Sequence, residues 1–156
     1  MKIAIGFDHA AGDIPELLTV VCNNLGHEVI EYVGPARGEK YDYPDAAHGV
    51  VVALRKLTPD GSLPDPKEAM GIVICGSGIG ICMAANKHVG VRCALCYDVY
   101  TAEMARLHNN ANIVAMGART TPPDVASDIV EKFLTTEFEG GRHQGRIDKI
   151  MSYQNA

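Results

Sequence analysis

No run of the 156-residue chain approaches the roughly 20 consecutive apolar residues that a membrane-spanning helix needs, so a membrane role is not expected. Positive charge is in the minority: 14 Lys and Arg against 19 Asp and Glu leave a net charge of −5, which argues against a nucleic-acid surface. Paired cysteines are also missing. The five cysteines are an odd number, and only Cys93 and Cys96 stand as C-x-x-C, inside a strand-like run whose alternation separates their side chains. Neither a zinc site nor a disulfide framework is expected, and reduced thiols are. A secretory leader is absent from the reading too, because MKIAIGFDHA passes directly into a strand pattern with Asp8 soon after, so a cytoplasmic address is expected. What is present is a globular composition, 47% hydrophobic with 21% charged, at a length that suits one well-buried domain over residues 1–156.

The chain is organised around Ala69–Lys87, AMGIVICGSGIGICMAANK. Met70 to Cys75 reads as a strand buried on both faces, Gly76 to Gly80 breaks it, and a helix starts at Ile79, with Ile79, Met83 and Lys87 at four-residue spacing. Unpaired N–H groups of such a turn can hold a phosphate, a carboxylate or a developing oxyanion, and a thiol beside them is a thiolate candidate. Three better-known glycine loops do not fit. The nucleotide-hydrolase loop needs a Lys followed by Ser or Thr; the dinucleotide fingerprint needs G-x-G-x-x-G, whereas Gly76, Gly78 and Gly80 give G-x-G-x-G; a Cys-dependent phosphatase needs an Arg where Ile81 stands. An anion-binding loop with Cys75 as base or nucleophile remains.

Around that stretch, strands are expected at Lys2–Phe7, Glu28–Val33, Val91–Tyr97 and Asn112–Met116. Helices are expected from Ile14 to Leu25, from Pro44, from Asp98 to about Asn110 and from Pro122 and Pro123. The Pro-rich segment Thr58–Lys67 reads as a loop on the amino edge of the sheet. This βα alternation predicts a doubly wound three-layer α/β fold, Rossmann-like, with a mostly parallel sheet of about five strands. From Glu139 the polar, basic tail reads as an arm that adds little to the core.

Open parallel sheets bind ligands at the carboxyl ends of their strands, which here would gather Asp8, His9, the Gly34–Tyr43 loop, Cys75–Gly80, Tyr97–Thr101 and Arg119. Acid, imidazole, phenol, thiol and amides together suit proton transfer on an anionic polyhydroxy compound. His108 lies at the far end of its helix, about 20 Å from that face at ~1.5 Å per residue. Either it interacts with the helix dipole, or a second subunit carries it over the glycine turn. Cys22, Cys82 and Cys93 read as small core residues, and Cys96 is a weak rival to Cys75. Asp8 also suits a cap of the first helix. Arg142 and Arg146, four apart, suit either a solvated helix face or a two-pronged phosphate clamp.

Asp8-His9, Asp42-Tyr43-Pro44, Cys75-Gly76-Ser77-Gly78-Ile79-Gly80, Ala84–Lys87, His108–Asn112 and Gly141–Gln144 with Arg146 follow one another in an order that resembles the type B ribose-5-phosphate isomerases, the family that includes the galactose-6-phosphate isomerase subunits. The resemblance implies an aldose-ketose isomerase that interconverts ribose 5-phosphate and ribulose 5-phosphate, as in the pentose phosphate pathway, without metal or cofactor. It also implies a homodimer with shared active sites, with pairing into tetramers left open. In this reading Cys75 is the base, since neither position 79 nor position 80 is a Glu, Ser77 assists, and His108 opens the furanose ring. Asp8 and Tyr43 touch hydroxyls and Asn109 orients the sugar. His9, Arg119, Arg142 and Arg146 bind the phosphate, and the amides from Gly76 through Gly78, Ile79 and Gly80 stabilise the enediolate. Two alternatives stay open: a six-carbon sugar phosphate such as allose or galactose 6-phosphate, and a non-enzymatic phosphate or nucleotide sensor.

Overall fold

The computed structural model describes residues 1–155; Ala156, the last residue of the expected domain, lies outside them. Five strands, β1 (Lys2–Phe7), β2 (Glu28–Val33), β3 (Ala69–Cys75), β4 (Cys93–Leu95) and β5 (Ile113–Gly117), form one sheet in the order β2-β1-β3-β5-β4, every pair parallel. Helices α1 (Ile14–Asn24), α2 (Tyr43–Arg55), α3 (Ile79–Ala85), α4 (Val99–Leu107) and α5 (Pro123–Thr135) cross between the strands, and α6 (Arg142–Ser152) follows them. None is long and apolar enough to cross a membrane.

Strand side chains alternate between two cores, and this gives the three layers. On one face Ile3, Ile5, Met70, Ile72 and Ile74 pack with Leu18 of α1, Ala102 of α4, and Ile129 and Phe133 of α5. On the other, Ala4, Val73, Ile113 and Ala115 pack with Val50 and Leu54 of α2 and Ile81 of α3. β3 has a partner on each side and helices on both faces, so all seven of its residues are buried, as its unbroken apolar run requires. The chain leaves β1 toward β2 and returns to set β3 on the other side, and the order reverses between β1 and β3. That reversal opens a crevice at the carboxyl ends, where Asp8 and Cys75 emerge side by side: Phe7 pairs with Ile74, and the Asp8 N–H donates to the Ile74 carbonyl at 3.1 Å.

Several expectations change. The fourth strand is only Cys93–Leu95, because β4 is an edge with one neighbour and the Arg92 N–H is taken by the Asn112 side chain at 2.8 Å. Helix α3 starts at Ile79 as expected but ends at Ala85, short of Lys87; Ile79 and Met83 are 50% and 64% exposed, while Ile81 and Ala85 face the core. Helix α4 ends at Leu107 rather than near Asn110, so its nine residues span about 14 Å at ~1.5 Å each. The arm folds as α6, with His143 and Ile147 buried and Gln154 beyond it accepting from the Gly90 N–H at 2.8 Å. The Thr58–Lys67 segment does lie at the amino edge, where Leu57, Pro64 and Glu68 line a hollow with Met1, Lys2 and Glu28.

Asp98 caps α4 as its position suggests. Its carboxylate accepts from the Thr101 N–H at 2.7 Å, and the Thr101 hydroxyl accepts in return from the Asp98 N–H at 3.3 Å. Asp98→Ala is therefore expected to lower stability by about 1 kcal/mol, read from the urea unfolding midpoint. An unchanged midpoint would mean that the reciprocal bonds contribute nothing in water.

Candidate active site

At the end of β3 the chain turns through Gly76-Ser77-Gly78 so tightly that the Gly78 N–H points back at the Cys75 sulfur, 3.2 Å away. The turn is locked against β5 on one side: the Ala118 N–H donates to the Cys75 carbonyl at 2.8 Å and the Arg119 N–H to that of Gly76 at 2.9 Å. Two glycines here let side chains approach the backbone closely. A Cβ on Gly80 would lie 2.7 Å from the Tyr43 ring and one on Gly76 would lie 3.3 Å from the Arg119 guanidinium, so those two side chains cover the turn. Cys75 itself is only 4% exposed.

Asp8 is buried beside it and does not cap α1, whose cap position is Asp13. Instead its carboxylate accepts from the Ala10 N–H at 2.8 Å, which braces the loop after β1. His9 Nδ1 lies 3.2 Å from the Tyr41 carbonyl, tying that loop to the one that leads into α2. Asp8, His9, Tyr43, Cys75, Ser77 and Arg119 thus share the crevice at the sheet's reversal point. The rival thiol, Cys96, is fully buried, and burial pushes it up to about 12, which disfavours a thiolate there. Cys22 is a core residue as expected, whereas Cys82 and Cys93 are half-buried at the β4 edge, with the Cys82 sulfur 3.5 Å from the Cys93 carbonyl.

The remaining predicted residues lie elsewhere. His108 follows α4 and, with Asn109, enters the loop that feeds the amino end of β5, the opposite edge of the sheet from Cys75. Arg106 fixes this loop from within: buried against the Phe133 ring, its guanidinium donates to the carbonyl of Thr136 and the Asn110 side chain at 3.2 and 2.9 Å. Arg142 and Arg146 are exposed on α6, which packs at the same edge. The expected site residues therefore fall into two groups at opposite edges of the sheet.

Sequence spacing showed no cluster of ligating groups, yet folding makes one: His108, Glu139 and His143 place their donor atoms within 4.8 Å of one another. The two rings are stacked at 4.3 Å with planes 10° apart. In-plane lone pairs of parallel rings run side by side instead of converging, which suits a packed pair better than a shared cation. Neither Glu139 nor His143 stands out as a site residue in the sequence; their i, i+4 spacing was the available signal.

Asp8, the Cys75 thiol and a turn of backbone amides meet where the strand order of a doubly wound parallel sheet reverses, and the proteins this chain resembles are isomerases of phosphorylated sugars. Residues 3–150 match the family described as Ribose/Galactose Isomerase, and the chain belongs to that family of isomerases. It is 39% identical to the D-erythrulose-4-phosphate isomerase of Pectobacterium atrosepticum over 99% of this chain and 96% of that protein. It is 37% identical to the ribose-5-phosphate isomerase B of Escherichia coli, over 98% and 96% of the two. The solved type B ribose 5-phosphate isomerase of Trypanosoma cruzi superposes with a TM-score of 0.87 at 43% identity, with 99% of each chain covered.

Proposed function

We propose that the protein interconverts D-ribose 5-phosphate and D-ribulose 5-phosphate through an enediolate, with Cys75 moving the proton between C2 and C1. One juxtaposition supports this most: a thiol at the end of β3 receives the Gly78 N–H at 3.2 Å inside a turn flanked by Asp8, Tyr43 and Arg119. A sugar seated on the turn would bring its C2 proton to the sulfur, and the turn's outward amides and the Ser77 hydroxyl would stabilise the charge that develops on the oxygens. Asp8 and Tyr43 would then hold hydroxyls. His9 and Arg119 would hold the phosphate, whose remote binding energy keeps the open chain in register.

His108, Asn109, Arg142 and Arg146 complete the site from a second copy. A two-fold homodimer with two shared sites would let the partner subunit's His108 open the furanose ring and its two arginines clamp the phosphate. Exposed apolar groups support a partner on this side. Ile79 and Met83 of α3 and Tyr97 and Tyr100 at the start of α4 are all at least half exposed, and a cavity of about 360 Å³ lined by Leu95, Tyr100, Met104 and Ile150 lies along the short β4 edge.

Isomerisation assays on ribose 5-phosphate, allose 6-phosphate, galactose 6-phosphate and D-erythrulose 4-phosphate test the reading. The largest kcat/KM is expected for ribose 5-phosphate. The 39% identity to a D-erythrulose-4-phosphate isomerase makes a shorter sugar phosphate the second reading, favoured if the four-carbon substrate is turned over best. Tight binding of these phosphates with no aldose-ketose conversion would leave a sensor and end the enzymatic proposal.

A further inference from the structure

The arm carries two groups for which the proposed chemistry has so far given no use. Glu139 is anchored to the segment it faces, its N–H donating to the Leu107 carbonyl at 3.1 Å next to His108. Gly140 and Gly141 then turn the chain at φ of +70° and +56°. A Cβ on either would meet nothing within 4 Å, so glycine serves the backbone conformation that swings α6 back over Glu139. The result is that His143, with only 6% of its side chain exposed, stacks flat on the His108 ring at 4.3 Å. One Glu139 oxygen, Oε2, lies 3.8 Å from His108 Nε2 and 3.5 Å from His143 Nε2, within ion-pair reach of both.

His143 is dressed to remain neutral. Burial pushes its imidazole below the ordinary range, and His108, Arg142 and Arg146 add to this while Glu139 opposes it. Its Nε2 is buried with no hydrogen bond. A buried, neutral ring stacked on a half-exposed one restricts the plane of the second, and a carboxylate 3.8 Å from one nitrogen, beyond hydrogen-bond distance, favours the tautomer with its proton on that side through its charge.

We infer that Glu139 and His143 are positioning residues for His108: the carboxylate keeps the proton on Nε2, the buried ring fixes the plane, and Nδ1 is the atom offered to the sugar. The inference rests on the ring-opening role proposed above. In that step Nδ1 takes the proton from the anomeric hydroxyl, C1=O1 forms as the C1–O4 bond breaks, and the imidazolium returns the proton to O4, so that one proton moves from O1 to O4 with no other change.

The test compares Glu139→Gln, His143→Ala, His143→Phe and His108→Ala with the wild type on two substrates. Ribose 5-phosphate must be opened; 4-deoxyribose 5-phosphate has no O4 and cannot close a furanose. Glu139→Gln and His143→Ala are expected to lower kcat/KM for ribose 5-phosphate by about tenfold or more and to leave the 4-deoxy analogue within about twofold of wild type. His143→Phe, which keeps the stack, should recover most of the loss. The NMR ring-proton shifts of His108 should lose their ring-current displacement in His143→Ala and keep or exceed it in His143→Phe, whatever the activity. Equal losses on both substrates, no loss on ribose 5-phosphate, or unmoved His108 resonances would overturn the inference. If His108→Ala costs both substrates equally while the resonances respond as expected, the ring-opening role itself is what fails, and positioning for it falls with it.

Discussion

Cys75→Ala is expected to lose at least about a hundredfold in kcat while still binding ribose 5-phosphate, because the substitution removes the proton acceptor and leaves the groups proposed to hold the sugar. The site makes this a clean experiment. The methyl group of alanine fits where the thiol was, since Cys75 is packed among Ala115, Val73 and Ile81 in an apolar core, and no buried charge is stranded. The Gly78 N–H loses its sulfur partner but stays in a turn fixed by backbone bonds from Ala118 and Arg119. Two measurements decide it: calorimetric binding of ribose 5-phosphate, and exchange of the C2 hydrogen with solvent deuterium. Exchange at the wild-type rate in Cys75→Ala would show that another group carries the proton. The buried position of Cys75 also limits the geometry, because its sulfur can serve only a sugar seated directly on the glycine turn.

Gly78→Ala is expected to cost about 3 kcal/mol or more in stability by combining backbone strain with overpacking. Gly78 sits at φ +77°, and an added Cβ would lie 2.5 Å from the Leu95 side chain, 2.7 Å from the Met116 carbonyl carbon and 2.9 Å from the Gly117 nitrogen. A leucine methyl can yield, whereas β5 backbone in the middle of a parallel sheet cannot. Any relief must come from the turn itself, which carries the amide aimed at Cys75, so activity should fall together with stability. Gly140→Ala is the control: φ is +70° but the space around it is open, and the cost should stay near about 1 kcal/mol. Urea unfolding of the two variants separates the contributions. Equal stability losses would mean that contact with β5 does not add to the strain.

The element pattern was readable because it rests on local chemistry. Buried strands such as β3 need unbroken apolar runs, prolines open α2 and α5, and Asp98 with Thr101 starts α4. The errors fell where tertiary partners decide. Val91–Tyr97 has a strand's composition, yet an edge with a single neighbour keeps only three residues of it paired. The four-residue repeat of Ile79, Met83 and Lys87 marks a helix without saying which face is buried, and packing turns Ile81 and Ala85 inward while Ile79 and Met83 stay exposed.

The order of residues by itself settled that this is a βα-alternating chain with a thiol at a glycine turn, because strand burial and helix starts are written in neighbours a few positions apart. Only the three-dimensional packing decided which distant groups meet. It set Asp8, Tyr43 and Arg119 around Cys75, buried Cys96, sent His108 to the opposite edge, and laid His143 on its ring beside Glu139. The physical reason is that such meetings depend on strand order and on how far each helix carries the chain, and both are fixed by the burial of two cores at once rather than by any single segment.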